Sequence, residues 1–194
     1  LVGRGCTGFA LRPGSRTRNT GAERDGHVKL GIRFVKQHAN EYAIDPERLG
    51  ITGASAGGHL AALAAVTPEA GDAHARNPLR RHDTKVRAVG VFFPPTDFLD
   101  WDGKRANLDL LGSLLFLGGV HGQPEAELMR RAEAISPARL VTPSAPPFLF
   151  IHGDADPLVP LQQSQKMVEA LRAAGVPAEL IVKPGGGHPW LTIP

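Results

Sequence analysis

Short apolar runs that read as β-strands alternate along this chain with helical segments, and this alternation restricts the fold more than any other feature. The strand-like runs are "CTGFALR", "RLGIT", "VRAVGVFF", "PPFLFIHGD" and "VPAELIVKPG". "VRAVGVFF" is apolar without a polar alternate, as in a strand buried on both faces of a parallel sheet. The first run is weaker, because Gly8 interrupts it. Between the runs lie helical patterns. Over residues 25–42, Val28, Ile32, Val35 and Ala39 recur at helical spacing, with Leu30, Phe34 and His38 beside them. "HLAALAAV" predicts a helix from just after Ser55 to Val66, stopped by Pro68. "LVPLQQSQKMVEALRAAG" predicts an amphipathic helix closed by Gly175. Strands alternating with helices predict an α/β fold with a doubly wound, mostly parallel sheet. The 194 residues are enough for one domain with a buried core.

Residues 97–136 break the rhythm. An aromatic and apolar patch (Phe98, Leu99, Trp101 and residues 110–117) precedes a predicted helix over 124–134, with Pro124 in its first turn. This reads as a small lid-like insertion over the sheet edge.

Between "RLGIT" and the following helix stands Gly53-Ala54-Ser55-Ala56-Gly57, a G-x-S-x-G pattern. On a sharp strand-to-helix turn, a serine hydroxyl is held exposed, where it can act as a nucleophile. Glycines on both flanks are expected to be required, because side chains there would clash with the turn. Acyl transfer by serine also needs a base, an acid to orient that base, and donors for the oxyanion. In an open parallel sheet such groups gather at the carboxyl ends of strands. After "PFLFI" comes His152-Gly153-Asp154-Ala155-Asp156, and after "ELIVK" comes Pro184-Gly185-Gly186-Gly187-His188. Ser55, Asp156 and His188 thus follow in the chain order of α/β-hydrolases.

These residues resemble the α/β-hydrolase superfamily. Within it they resemble the serine esterases that include acetyl esterases and the bifunctional feruloyl and acetylxylan esterases. The similarity is carried by "DPERLGITGASAGGHLA", "FFPPTDFLDW", "HGDADPLVP" and "GGGHPW". It implies Ser55 as nucleophile, Asp156 as triad acid and His188 as base, with the Ala56 backbone N–H as one oxyanion donor. The substrate it implies is a small-molecule or carbohydrate ester, with a short acyl, acetyl or feruloyl group. Members of the group carry three more strands ahead of "CTGFAL", a His-Gly-Gly loop that completes the oxyanion hole, and a closing helix after the histidine loop. None of these is in this sequence, so the expectation is a partial domain spanning residues 1–194, lost at both ends. Losing one oxyanion donor costs about a hundred- to thousand-fold in turnover, so weak turnover is expected of the chain as it stands. Two rival readings are a prolyl-oligopeptidase-like serine peptidase, which shares fold and triad order, and a catalytically impaired fragment with a binding role.

Other residues compete for the same roles. Asp154 shares the loop of Asp156 and is expected to brace it. Asp97, after "FFPPT", is a second candidate acid, read otherwise as a turn or cap residue. His59 and His152 read as packed, hydrogen-bonded histidines, while His27, His38, His74, His82 and His121 read as surface residues. Trp190, beside His188, and Trp101 are candidates for the substrate pocket.

Composition narrows the remaining classes. A net charge of +3 without a basic, aromatic-studded stripe argues against a nucleic-acid partner. "RNPLRRHDTKVR" reads as a solvated loop. The single cysteine, Cys6, rules out an internal disulfide and is expected to be a small buried hydrophobe. No apolar run has the length of a membrane span, and no pair of His, Cys, Asp or Glu has metal-site spacing, so no metal or other cofactor is expected. No signal peptide is visible, but the chain opens on Leu1, so both cytoplasmic and secreted locations stay open.

Overall fold

The computed structural model describes residues 3, 5–15, 18–104, 112 and 114–190. Helix α1 spans Gly21–Gln37. It begins earlier than the apolar spacing predicts because of a capping box: the Thr20 N–H donates to Glu23 Oε2 (2.7 Å) and the Glu23 N–H to Thr20 Oγ1 (3.3 Å). Val28, Ile32 and Val35 turn into the core, while Leu30 and Phe34 remain 44% and 42% exposed. Charged residues on the inner side of α1 are buried as pairs. Lys29 meets Asp25 at 2.8 Å, Arg33 meets Glu69 at 3.0 Å and Lys36 meets Asp83 at 2.6 Å.

The first expected strand does not form. Residues 6–12 carry no strand. Phe9 instead packs edge-on against Tyr42 (5.0 Å between centroids), and Leu11 lies over Gly31 of α1. Cys6 is exposed rather than buried. A strand needs a partner edge for its backbone groups; this segment finds a helix surface instead.

Among the described residues, four strands form the sheet: β1 (Gly50–Ala54), β2 (Ala88–Phe92), β3 (Phe148–Gly153) and β4 (Ala178–Lys183). They lie in the order β1-β2-β3-β4, and every pairing is parallel, as the alternating pattern predicts. Helix α2 (Ala56–Val66) crosses from β1 to β2. Helix α3 spans Glu125–Ala134, and α4 (Gln162–Ala173) crosses from β3 to β4. Register places Ile51, Val89, Phe148 and Ala178 in one row across the sheet, and Gly53, Val91, Phe150 and Leu180 in the next row on that face. This face meets Val28 and Ile32 of α1, Leu60 and Ala64 of α2, and Met167 and Leu171 of α4 in a single core. Phe150 and Leu171 are both wholly buried, each contributing roughly 1.5–3 kcal/mol of apolar burial. The opposite face is more open: Gly90, Phe92, Leu149 and Ile151 are half-buried and Ile181 is exposed.

Phe98, Leu114, Leu115, Phe116, Leu128, Ala132 and Ile135 form a second cluster with Leu63 of α2. This segment is thereby anchored on the helix that follows Ser55. Pro124 sits at the N-cap of α3 rather than inside its first turn. Residues 105–111 and 113 of the expected patch lie outside the described residues. No helix among the described residues is long and apolar enough to cross a membrane.

Candidate active site

Because all strands run the same way, their carboxyl ends bring the loops after β1, β3 and β4 to one edge of the molecule. Ser55 occupies the turn from β1 to α2 with φ 52° and ψ −121°, a conformation normally left to glycine. Its backbone N–H donates to the Phe92 carbonyl of β2 (2.9 Å), and its carbonyl accepts the His59 N–H (2.9 Å). Of the two flanking glycines, only Gly53 is sterically required. A Cβ there would lie 2.4 Å from the Gly57 carbonyl oxygen, whereas a Cβ on Gly57 would meet nothing within 4 Å. The expectation for Gly57 is thus corrected. The tighter position is Gly58, where a Cβ would approach the carbonyls of Gly53 and Phe92 at 3.1 and 3.2 Å.

The loops after β3 and β4 are fastened to each other. The Ala155 N–H donates to the Gly186 carbonyl (3.1 Å), and the Gly185 N–H to Asp154 Oδ1 (2.7 Å). Gly153 permits this approach, since a Cβ there would stand 2.1 Å from the Gly186 oxygen. Asp154 therefore braces the histidine loop. Asp156 points inward. Its Oδ1 accepts the N–H groups of Leu158 and Val159, both at 2.9 Å. Its Oδ2 lies 2.7 Å from His188 Nδ1, and His188 Nε2 lies 3.0 Å from Ser55 Oγ. The Asp156 and His188 side chains are 0% and 7% exposed. The carboxylate can only accept, so His188 Nδ1 carries the proton and Nε2 is left to accept from the serine hydroxyl. That arrangement can remove a proton from Ser55 and hold the resulting imidazolium.

The structure separates the competitors from this line. Asp97 is 2% exposed and is gripped by Arg139 Nε and Lys166 Nζ, both at 2.8 Å, while accepting the Leu99 N–H at 3.0 Å. Burial pushes its carboxyl up, but the Arg139 and Lys166 hydrogen bonds outweigh this and hold it below its ordinary value. It is a turn and ion-pair residue. His59 is 2% exposed, its Nε2 2.7 Å from the Ile135 carbonyl. Burial lowers its pKa to about 4, against the opposing pull of that carbonyl. Ala56 opens α2, where the first N–H groups have no partner within the helix. Trp190 lies edge-on to Phe92 and Phe93 at 6.4 and 6.3 Å, whereas Trp101 stacks on Phe98 at 6.1 Å in the second cluster.

Two residues escape sequence reasoning. Phe93 has φ 39°, is 1% exposed, and packs edge-on against the His188 ring at 4.6 Å. Gln163, 0% exposed, accepts the N–H groups of Thr96 and Asp97 on Oε1 at 2.9 and 2.8 Å. It thereby ties the loop after β2 to α4. A hollow of about 520 Å³ lined by Pro147, Phe148, Arg172 and Pro177 lies at the opposite, amino-terminal end of β3 and β4, and no serine, cysteine or histidine lines it. No group of three or more His, Cys, Asp or Glu among the described residues could hold a metal ion.

A parallel α/β sheet with a serine elbow after one strand and acid and histidine loops after two later ones defines an α/β-hydrolase. Residues 20–171 match the BD-FAE family, and the chain belongs to that family of α/β-hydrolases. Among curated relatives it is 37% identical over 157 residues to "Probable carboxylic ester hydrolase LipM" of Mycobacterium tuberculosis, covering 80% of this chain and 35% of the relative. Among solved structures it resembles a truncated form of a carbohydrate esterase from gut microbiota. That match has a TM-score of 0.75 at 32% identity and covers 90% of this chain and 64% of the other. It also resembles an acetyl ester-xyloside bifunctional hydrolase from Caldicellulosiruptor lactoaceticus, with a TM-score of 0.73 at 26% identity, covering 87% and 58%. The chain spans 34–39% of the length of the first curated relatives it matches.

Proposed function

We propose that this chain carries the nucleophile, acid and base of a serine carboxylic ester hydrolase. The observation that supports the reading best is the continuous line of hydrogen-bonding distances from Asp156 Oδ2 to His188 Nδ1 (2.7 Å) and from His188 Nε2 to Ser55 Oγ (3.0 Å). Ser55 Oγ attacks the ester carbonyl as His188 Nε2 takes its proton, and Asp156 stabilises the imidazolium. The alcohol leaves with the proton from His188. Water, deprotonated by His188, then releases the acid and regenerates the serine. The Ala56 N–H, at the positive end of α2, donates to the oxyanion. The substrates are short acyl esters, acetyl or feruloyl groups on carbohydrate among them, and the acetyl class is the one favoured by the carbohydrate esterase and acetyl ester-xyloside hydrolase among its structural neighbours. Trp190, beside Phe92 and Phe93, is assigned to the acyl side of the pocket, and Trp101 to the insertion that borders it.

A fluorophosphonate probe tests this directly. The wild-type chain should label while Ser55→Ala does not, and p-nitrophenyl acetate should be cleaved in preference to an aminoacyl-proline anilide. Equal labelling of wild type and Ser55→Ala would sink the nucleophile assignment. Preference for the anilide would favour a peptidase.

A further inference from the structure

We infer that His152 is a positioning residue for the Asp156 carboxylate, held as the neutral Nε2–H tautomer by Ser164 and the Val159 carbonyl. The inference rests on the Ser55–His188–Asp156 reading and adds a second histidine behind the acid.

His152 is the penultimate residue of β3 and is 0% exposed. Its Nε2 lies 2.9 Å from the Val159 carbonyl oxygen. A carbonyl can only accept, so Nε2 carries the hydrogen. Its Nδ1 lies 2.7 Å from Ser164 Oγ, and Ser164, on α4, is also 0% exposed. With the ring hydrogen on Nε2, Nδ1 accepts the hydroxyl hydrogen of Ser164. Both ring nitrogens are satisfied in the neutral form.

A core histidine could do this anywhere. What sets His152 apart is the residue it holds. Val159 offers its carbonyl to His152 and its N–H to Asp156 Oδ1 (2.9 Å). The two peptide groups that flank the Val159 Cα are thus held, one by the His152 ring and the other by the triad acid. In addition, His152 Nε2 stands 3.5 Å from Asp156 Oδ2, the oxygen that holds His188. At that distance it is an electrostatic contact rather than a full hydrogen bond. The groups facing the ring are Asp156 and His188 from the loops after β3 and β4, Ser164 from α4, and Phe93, edge-on at 6.4 Å, from the loop after β2. Burial pushes His152 down from its ordinary value, against the opposing pull of the Val159 carbonyl and Asp156. Neutrality suits the role, because a cation at this place would compete with the His188 imidazolium for one carboxylate.

The test uses the full chain and reads the pH dependence of Ser55-dependent fluorophosphonate labelling, with imidazole ¹⁵N spectra alongside. His152 should show the neutral Nε2–H signature at neutral pH and take up a proton only below the pH at which histidine ordinarily titrates. His152→Ala should slow labelling by about 10- to 100-fold, as expected for an acid displaced by up to an ångström. Its acid limb should move to lower pH, because a less firmly held carboxylate stabilises the His188 imidazolium less. His152→Gln, which keeps an N–H near the Nε2 position, should recover most of both. A folded His152→Ala with wild-type rate and acid limb, or a His152→Gln no better than alanine, overturns the inference. If His152→Ala does not fold, Ser164→Ala decides: a slowed rate with the same downward shift supports it, and wild-type values refute it. Labelling that persists in Ser55→Ala would instead defeat the triad reading itself, and this inference with it.

Discussion

Replacing Gly153 by alanine tests whether the loops after β3 and β4 act as one unit. The added Cβ would stand 2.1 Å from the Gly186 carbonyl oxygen, so the loops must separate by roughly 1.3 Å or more to reach ordinary contact. Gly186 lies two residues before His188, and Gly153 three before Asp156. The displacement therefore falls on the 2.7 Å contact between Asp156 Oδ2 and His188 Nδ1. It also strains the Ala155 N–H to Gly186 carbonyl bond. Overpacking of this kind costs about 1–3 kcal/mol, which lowers the melting temperature of a chain this size by roughly 2–12 °C. A misplacement of about 1 Å costs on the order of a hundredfold in rate. The control is Gly90→Ala in β2, where the new Cβ meets nothing within 4 Å. Thermal melts and the labelling rate of Ser55, taken together on both variants, give the answer. If Gly153→Ala labels within about threefold of the Gly90→Ala control, well short of that hundredfold loss, the loops are not mechanically coupled and the reasoning fails.

Two further outcomes follow from the buried charges. Asp97→Asn should reduce stability by about 1–3 kcal/mol, because Arg139 and Lys166 lose their charged partner, yet leave Ser55 labelling intact. Asp156→Asn should instead lower turnover by on the order of 10⁴-fold; the reverse pattern would reassign the acid. His59 gives the pH dependence. Its folded pKa of about 4 lies below its unfolded value near 6.5, so the unfolded chain binds the extra proton. Stability is therefore full above about pH 6.5 and falls as pH drops toward 4, by about 3 kcal/mol in total. Urea midpoints measured across this range should flatten in His59→Phe, and an unchanged slope would show that His59 is not the group responsible.

The sheet and its two crossover helices were legible because their residues obey local rules. "VRAVGVFF" and "PFLFI" are continuous apolar runs, and Gly175, at φ 75° just past α4, ends that helix as its position predicts. The order of Ser55, Asp156 and His188 was legible for the same reason, since strand ends in a parallel sheet define one edge. What escaped was decided by tertiary contact. Residues 6–12 have the composition of a strand, but they lie against α1. The capping box at Thr20 was present in the sequence as Thr-x-x-Glu, yet the apolar spacing starts later and drew the boundary to residue 25. The burial of Arg33 and Lys36 in α1 is set by Glu69 and Asp83, which lie 36 and 47 residues further along the chain. The left-handed conformation of Phe93 and its contact with the His188 ring have no local signature, because that packing arises only when the loops after β2 and β4 converge.

The backbone of Ser55 carries one more implication, for how such a chain drifts over generations. A φ of 52° with ψ near −121° stores about 1–3 kcal/mol in any residue with a Cβ. Glycine at this position would release that energy in a single substitution, and the protein would fold better for it. The route to greater stability thus runs directly through loss of the hydroxyl. If Ser55 is the nucleophile proposed above, a lineage freed from the need for that hydroxyl would find the step downhill, whereas one still using it must keep refusing it. On that reading, the serine's presence in an unfavourable backbone well is a physical trace of selection for chemistry over stability.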